Sequence, residues 1–281
     1  MKNHHFVKVS LGCLLCLVMF SAGCINIGSC AMQAKYQRTV QLSAPLSPGS
    51  TFEAQTHNGS ITINGAESAE CNMTATIVAR AGTDEEALEL AEQVNVTLVP
   101  SGSRLITKID KPTQLINKSV SVSLDVDVPN KTDLELVTHN GAVDISDITG
   151  RLEATTHNGK VTSERVSGTT AFETHNGSVT CEDISGNTQL KSHNGSIKAF
   201  YTATAPSVCD ISIVTYNGGI ELKTPPSFSA TIDASTNNGS INTDLPITVS
   251  GKISKGSLKG TIGSGEGHLH LETHNGSIRI R

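Results

Sequence analysis

From Thr138 onward the chain is written in short arms whose apolar residues recur at every second position. Val143 and Ile145 share one face of an arm, and Leu152, Ala154 and Thr156 share one face of the next. A period of two is that of a half-buried strand. Arms this short cannot bury an apolar face alone, so they must stack on one another. The punctuation is as regular as the alternation: Gly141, Gly150, Gly159, Gly168, Gly177, Gly186 and Gly195 fall every nine residues.

Over this pattern runs a phrase, Thr-His-Asn-Gly-Ser-Ile or a close variant. It begins at Thr56, Thr138, Thr156, Thr174, Ser192, Thr215, Thr236 and Thr273, with a degenerate copy at Ser257–Ile262. From Thr138 the starts lie 18, 18, 18, 23, 21, 21 and 16 residues apart, the degenerate copy included. Each unit reads as two turns and two extended arms. Stacked units pair each arm in parallel with its equivalents about 4.8 Å above and below. The predicted fold is all-β: a single-stranded parallel β-helix or β-solenoid of about 18-residue coils with an N-terminal α+β cap. Asn-Gly is also a hairpin signal, which makes an antiparallel meander the competing fold; the constant period and matched flanks favour the solenoid.

The corner pairs are Asn58-Gly59, Asn140-Gly141, Asn158-Gly159, Asn176-Gly177, Asn194-Gly195, Asn217-Gly218, Asn238-Gly239 and Asn275-Gly276. A sharp corner calls for positive φ, which Gly accepts freely and Asn tolerates. Stacked asparagines can also hydrogen-bond along a ladder.

Between Thr56 and Thr138 the phrase is interrupted. Asp84–Gln93 (DEEALELAEQ) predicts a helix with Thr83 as N-cap and acidic residues in its first turn. Strand-like runs surround it at Cys71–Ala79, Val94–Val99, Arg104–Asp110 and Ser119–Val128. This stretch is expected to cap the open end of the stack, where core and unpaired backbone would otherwise be exposed. The chain ends on Ser277-Ile278-Arg279-Ile280-Arg281 with no separate cap, so that last strand is expected to be an edge through which copies could associate.

The N-terminus carries an address. Lys2 and Lys8 precede an apolar stretch, Val9–Ala22, too short to span a bilayer comfortably. Phe20-Ser21-Ala22-Gly23-Cys24 resembles the lipobox of bacterial lipoproteins, although Ser21 stands where Leu is usual; an ordinary signal peptide cut near Ala22 is the alternative. The expected layout is a signal peptide over 1–23, a lipidated tether over 24–38, a first coil with capping insertion over 39–137, and solenoid repeats over 138–281. Lipidation of Cys24 would anchor the exported chain to a membrane. Ile25, rather than Asp, after the cysteine favours the outer membrane or cell surface.

Removing Lys2 and Lys8 takes the formal net charge from −5 to −7. No Lys/Arg run interleaved with aromatics exists, so nucleic acid is not an expected partner. Of seven cysteines, Cys13 and Cys16 leave with the signal and Cys24 is the lipidation candidate. Cys30, Cys71, Cys181 and Cys209 match no zinc spacing. Cys181 and Cys209 share parity with apolar neighbours and should point inward as free thiols, with an oxidised pair left open.

The run from Asp127 to Leu136 (DVPNKTDLEL), followed by Thr138-His139-Asn140-Gly141, resembles the bacterial putative-adhesin family, domain of unknown function 4097. The resemblance covers about residues 40–281. It implies a β-helical fold and an envelope location, and it brings no catalytic residues and no cofactor.

His139, His157, His175 and His193 occupy one position in four consecutive units. A stack of imidazoles suits a transition metal or a pH sensor. The later units place Tyr216, Asn237 and Leu258 there, which a ligand position would not tolerate. The row is therefore read as an outward turn position, with no metal site. Asp144, Asp147, Glu153, Glu164, Glu173, Glu182 and Asp183 scatter over arms and turns without forming an acidic cluster. No nucleophile-elbow, metalloprotease or paired-carboxylate motif is present. Aromatics at 3% give little to a sugar-stacking groove. The repeated Thr shares the parity of Leu152 and Ala154, which argues against an exposed ice-binding ladder. These readings converge on a non-catalytic envelope lipoprotein, adhesin-like, that binds a surface, an envelope protein or a glycan, or acts as a scaffold. An envelope polysaccharide-binding or polysaccharide-cleaving β-helix and a self-assembling solenoid are the alternatives.

Overall fold

The computed structural model describes residues 34–249 and 254–281. The expected signal peptide, Cys24 and Cys30 lie outside the described residues. The N-terminal part runs β1 (Ala34–Pro45), β2 (Thr51–Asn58), β3 (Ile61–Ala66), β4 (Glu70–Ala81), α1 (Asp84–Glu92), β5 (Asn95–Ser101), β6 (Arg104–Asp110) and β7 (Ser119–Pro129). The middle follows as β8 (Asp133–Asn140), β9 (Val143–Ser146), β10 (Thr149–Thr156), β11 (Val161–Glu164), β12 (Ser167–Thr174), β13 (Val179–Asn194), β14 (Ile197–Tyr201), β15 (Ile211–Asn217) and β16 (Ile220–Lys223). Last come β17 (Ala230–Asn238), β18 (Ile241–Thr243), β19 (Ile247–Val249), β20 (Ser257–Ile262), β21 (Gly267–Asn275) and β22 (Ile278–Ile280). Ala34–Arg38, which the sequence assigns to the tether, belong to β1 and pair with Ile77–Ala81 of β4.

The strands form one large mixed network in an open, solenoid-like arrangement. Two ladders can be followed through it. One carries the arms that enter the Thr-His-Asn-Gly turn, the other the arms that leave it. In the first, Thr56 pairs with Thr138 and Leu152 with Leu134 and Thr170, all in parallel. In the second, Val161 pairs in parallel with Val143 and Val179. From β8 to β13 equivalent residues thus meet at offsets of 18, as the period requires, while Thr56 meets Thr138 across the insertion.

Parallel coils are expected over 138–281, and that expectation is corrected at the C-terminal end; antiparallel pairing also runs through the N-terminal part, where the sequence predicts an α+β cap. β1, β4 and β7 pair antiparallel, as do β5 and β6. At the other end β20 runs antiparallel to β17 and to β19. The degenerate copy is therefore not a coil of the stack. It is β20, whose Leu258 lies opposite Ala234 and is buried.

The spatial order of units also departs from chain order. β21 lies between β15 and β17, pairing in parallel with both. β22 is likewise held between β16 and β18. The C-terminal strand is therefore internal, with Ile278 and Ile280 fully buried. The expected assembly edge at Ser277–Arg281 does not exist. Among the described residues the outermost strands are β1 and β5 at one end and β18 and β19 at the other.

Inside, one contiguous core runs the length of the stack. Rows of equivalent residues build it: Ala54, Leu136, Ala154, Phe172, Leu190, Ile213, Leu271 and Ala234 from one ladder face Ile61, Val143, Val161, Val179, Ile197, Ile220 and Ile278 from the other. Small and large residues alternate from Ala54 to Phe172 in the first row, while Leu190, Ile213 and Leu271 after them and the whole facing row are Leu, Ile or Val. Within the insertion, α1 is capped as the sequence predicts, with the Thr83 hydroxyl accepting from the Glu86 N–H at 3.2 Å. Its Ala87, Leu90 and Ala91 are buried. No helix among the described residues is long and apolar enough to cross a membrane.

Candidate functional site: a stacked turn row and the cleft beside it

Each letter of the repeated phrase has its own task. The Thr is inside: Thr138, Thr156, Thr174, Thr215 and Thr273 are buried, and each donates its hydroxyl proton to the glycine carbonyl of the neighbouring unit at 2.8–3.0 Å. Ser192 and Thr236 do the same. A hydroxyl that would cost free energy if buried alone is thereby satisfied.

The Asn is outside and forms a continuous ladder. Asn140 donates to Asn58, Asn158 to Asn140, Asn176 to Asn158, and Asn194 to Asn176, at 2.7–2.8 Å. Asn217 then donates to Asn194, Asn275 to Asn217, and Asn238 to Asn275. The ladder follows the spatial order and so passes through Asn275 before Asn238.

The Gly is required for a reason other than the one the sequence suggests. Of the corner glycines only Gly59 has positive φ, at 142°, and none of the corner asparagines does. The constraint is closeness. A Cβ on Gly141, Gly159, Gly177 or Gly195 would lie 1.8–1.9 Å from the carbonyl oxygen of the glycine in the unit before. Left-handed backbone falls instead at the opposite corner, on Asp147, Arg165 and Asp183. There Arg165 donates to both carboxylate oxygens of Asp147, at 2.6 and 2.8 Å, and holds that carboxyl below its usual range.

The His is outside and stacks. Ring centroids of His57, His139, His157, His175 and His193 follow one another at 4.7–4.9 Å, with planes 2–17° apart. Tyr216 continues the stack at 5.1 Å and His274 follows it at 4.7 Å. Asn237 closes it, its Nδ2 lying 2.8 Å from His274 Nδ1. The row the sequence suggested, His139 to His193, is thus real and longer. His57 was missed because the insertion separates it from His139 in sequence, and His274 because its unit is inserted out of chain order. Leu258, counted in this row from the sequence, is not in it.

Among the described residues no group of three or more His, Cys, Asp or Glu is placed to hold a metal. The carboxylates remain dispersed as the sequence suggested. The thiols are buried: burial pushes Cys71 and Cys181 up to about 12. Cys209 is also buried and free.

Beside the histidine row lies a cleft of about 710 Å³. Its origin is topological. β6 pairs with β2 from Thr51↔Arg104 to Ala54↔Thr107 and then parts from it, while β2 continues to Asn58. The departing chain carries Lys108, Ile109 and Lys111 out as one wall, with Val120 and Val122 of β7 behind. The floor is His57, His139, His157 and His175, flanked by Gln55, Val137, Thr155 and Glu173. His57 is held below the ordinary imidazole value of 6.5 by partial desolvation, by Lys111 and by His139. Nothing in the repeat pattern marked Lys108 and Lys111, which only the path of the insertion brings here.

A mostly-β repeat protein, displaying regular rows along a hydrogen-bonded spine, is the class that this fold and turn row define. The chain belongs to the Toastrack DUF4097 family, whose model matches residues 35–281. Among solved structures it is similar to one described as a "putative adhesin" from Bacteroides fragilis, at 12% identity and TM-score 0.39, over 86% of this chain and 97% of that one. A structure described as a "putative cell adhesion protein" from Clostridium sporogenes shares 13% identity at TM-score 0.37, covering 85% of this chain and 97% of that one. A structure described as a "Putative lipid binding protein" from Parabacteroides distasonis shares 11% identity at TM-score 0.26, covering 68% of this chain and 90% of that one. No curated protein matches the chain.

Proposed function

We propose that the chain is a non-catalytic binding or scaffolding protein of the bacterial cell envelope, anchored by lipid on Cys24 and built as a β-solenoid of about 18-residue coils. The observation that carries this reading is the unbroken asparagine ladder across eight turns, which sets the side chains beside it into straight, evenly spaced rows. Such rows suit contact with an extended or repetitive surface and need no moving parts. The basic, apolar and small-residue order of residues 1–24 supports export and lipidation, and Ile25 supports an outer-membrane or surface destination. The sixteen Asn and Gly residues of the eight corner pairs serve the spine. No cofactor enters this reading.

Two measurements test it. Metabolic labelling with a palmitate analogue should mark the wild-type chain and not Cys24→Ala, and fractionation should place the labelled chain in the envelope. The purified mature chain should sediment with isolated envelopes. A chain that is unlabelled and stays out of the envelope fraction would refute the reading.

A further inference from the structure

We infer that the cleft beside the histidine row binds a carboxylate-bearing oligosaccharide lying along the stack axis. This deepens the surface-binding reading and rests on it. The size is suitable, since about 710 Å³ falls within the range of sites that enclose small molecules. The floor is a comb of ring edges at one strand spacing, and each neutral imidazole offers one N–H donor and one acceptor. The wall supplies cations. Lys108 is shared with Asp110 at 3.5 Å, whereas Lys111 is half-buried and makes no ion pair among the described residues. Cations facing a row of nitrogen donors define an anion's site rather than a cation's.

Charge is also the mode of sugar recognition left to this chain. It has no Trp, aromatics are 3% of its residues, and no Phe, Tyr or Trp lines the cleft. A neutral glycan would find no ring face to stack on, but a uronate would find two ammonium groups and several imidazoles. Glu173 lies at the far end, and Lys191 follows it in the same row. The carboxylates are therefore placed between the lysines and His57, His139 and His157. A carboxylate bound against an imidazole favours its protonated form, so binding is linked to proton uptake and tightens as pH falls.

The test is calorimetric titration of the mature chain with tetragalacturonate and with its fully methyl-esterified form at pH 5.5 and 7.5, in low salt. The acid form is expected to bind more than about tenfold tighter than the ester, because charge-assisted hydrogen bonds are lost on esterification. Its affinity should rise from pH 7.5 to pH 5.5. Lys111→Gln and Lys108→Gln should each weaken it about threefold to fivefold, with far-UV circular dichroism unchanged, while Lys198→Gln on the other ladder has no effect. Equal binding of acid and ester, tighter binding at pH 7.5, or indifference to both lysine substitutions overturns the inference. So does binding to phosphatidylglycerol vesicles with none to the uronate, which would assign the cleft to lipid headgroups. If Lys111→Gln still sediments with envelopes while the wild type ignores uronate, the cleft inference falls and the surface-binding reading stands.

Discussion

Replacing Gly159 by alanine tests the spine at its tightest point. The added Cβ would stand 1.8 Å from the Gly141 carbonyl oxygen, 2.5 Å from its carbon and 2.9 Å from the Thr156 hydroxyl. The two nearest atoms are Gly141 backbone, which no side-chain rotation can move aside. The two units must separate by roughly 1.5 Å before van der Waals contact is restored. Three hydrogen bonds cross that step: Asn158 to the Asn140 side chain at 2.7 Å, Thr156 to the Gly141 carbonyl at 2.9 Å, and the Asn158 N–H to the His139 carbonyl at 2.8 Å. All three would stretch beyond useful length. At about 1 kcal/mol each, and with looser packing of Val143 on Val161, the cost comes to about 3–4 kcal/mol. The control is Gly102→Ala. Gly102 has φ of +61° and no atom within 4 Å of a built Cβ, so its cost is backbone strain alone, about 1 kcal/mol. Repeat arrays can unfold in parts, so the assay is native-state hydrogen exchange at Asn158 and its neighbours, with the guanidinium midpoint alongside. If Gly159→Ala and Gly102→Ala agree within about 1 kcal/mol, the close-approach account of the corner glycines is wrong.

Asn176→Ala removes one bond to Asn158 and one from Asn194, both 2.8 Å; a loss of about 1–2 kcal/mol is expected by chemical denaturation, and a neutral result would mean that water replaces the ladder. His57 is depressed in the folded chain by partial desolvation, Lys111 and His139, so the unfolded chain takes up its proton first as pH falls. Stability is expected to be full above pH 6.5 and to decline as pH drops below that value through the folded pKa. His57→Asn should flatten the decline, whereas a higher melting temperature at pH 5.5 than at pH 8 would contradict the assignment. Cys71 and Cys181, buried and pushed up to about 12, should react with a maleimide at pH 8 only on the timescale of local opening; prompt labelling without denaturant would show that they are exposed.

Local rules made the repeated part of this chain legible. The alternation in Leu152, Ala154 and Thr156 already says which side faces in, and the helix at Asp84 carries its own cap in Thr83. The corner glycines show where local reading stops. Positive φ is a property of one residue, and sequence reasoning supplied it because nothing beyond the residue was in view. The actual constraint at Gly141, Gly159 and Gly177 is a distance to another unit, which exists only once the units are stacked. The same holds for the order of stacking. Ser257–Ile262 fits the repeat in composition, yet its direction is reversed against β17, and that leaves the place beside β15 and β17 for β21. Thr273, His274 and Asn275 then fall into line with Thr215, Tyr216 and Asn217. A unit that matches the phrase in full enters the interior, while the unit that lacks the Asn-Gly pair is left at the end. The asparagine ladder explains the choice: an interior unit must both accept and donate along the spine, as Asn275 does between Asn217 and Asn238. A unit with Lys259-Gly260 in that place can donate, as Lys259 does to Asp233 at 2.8 Å, but cannot accept, and the antiparallel place beyond β17 does not ask it to.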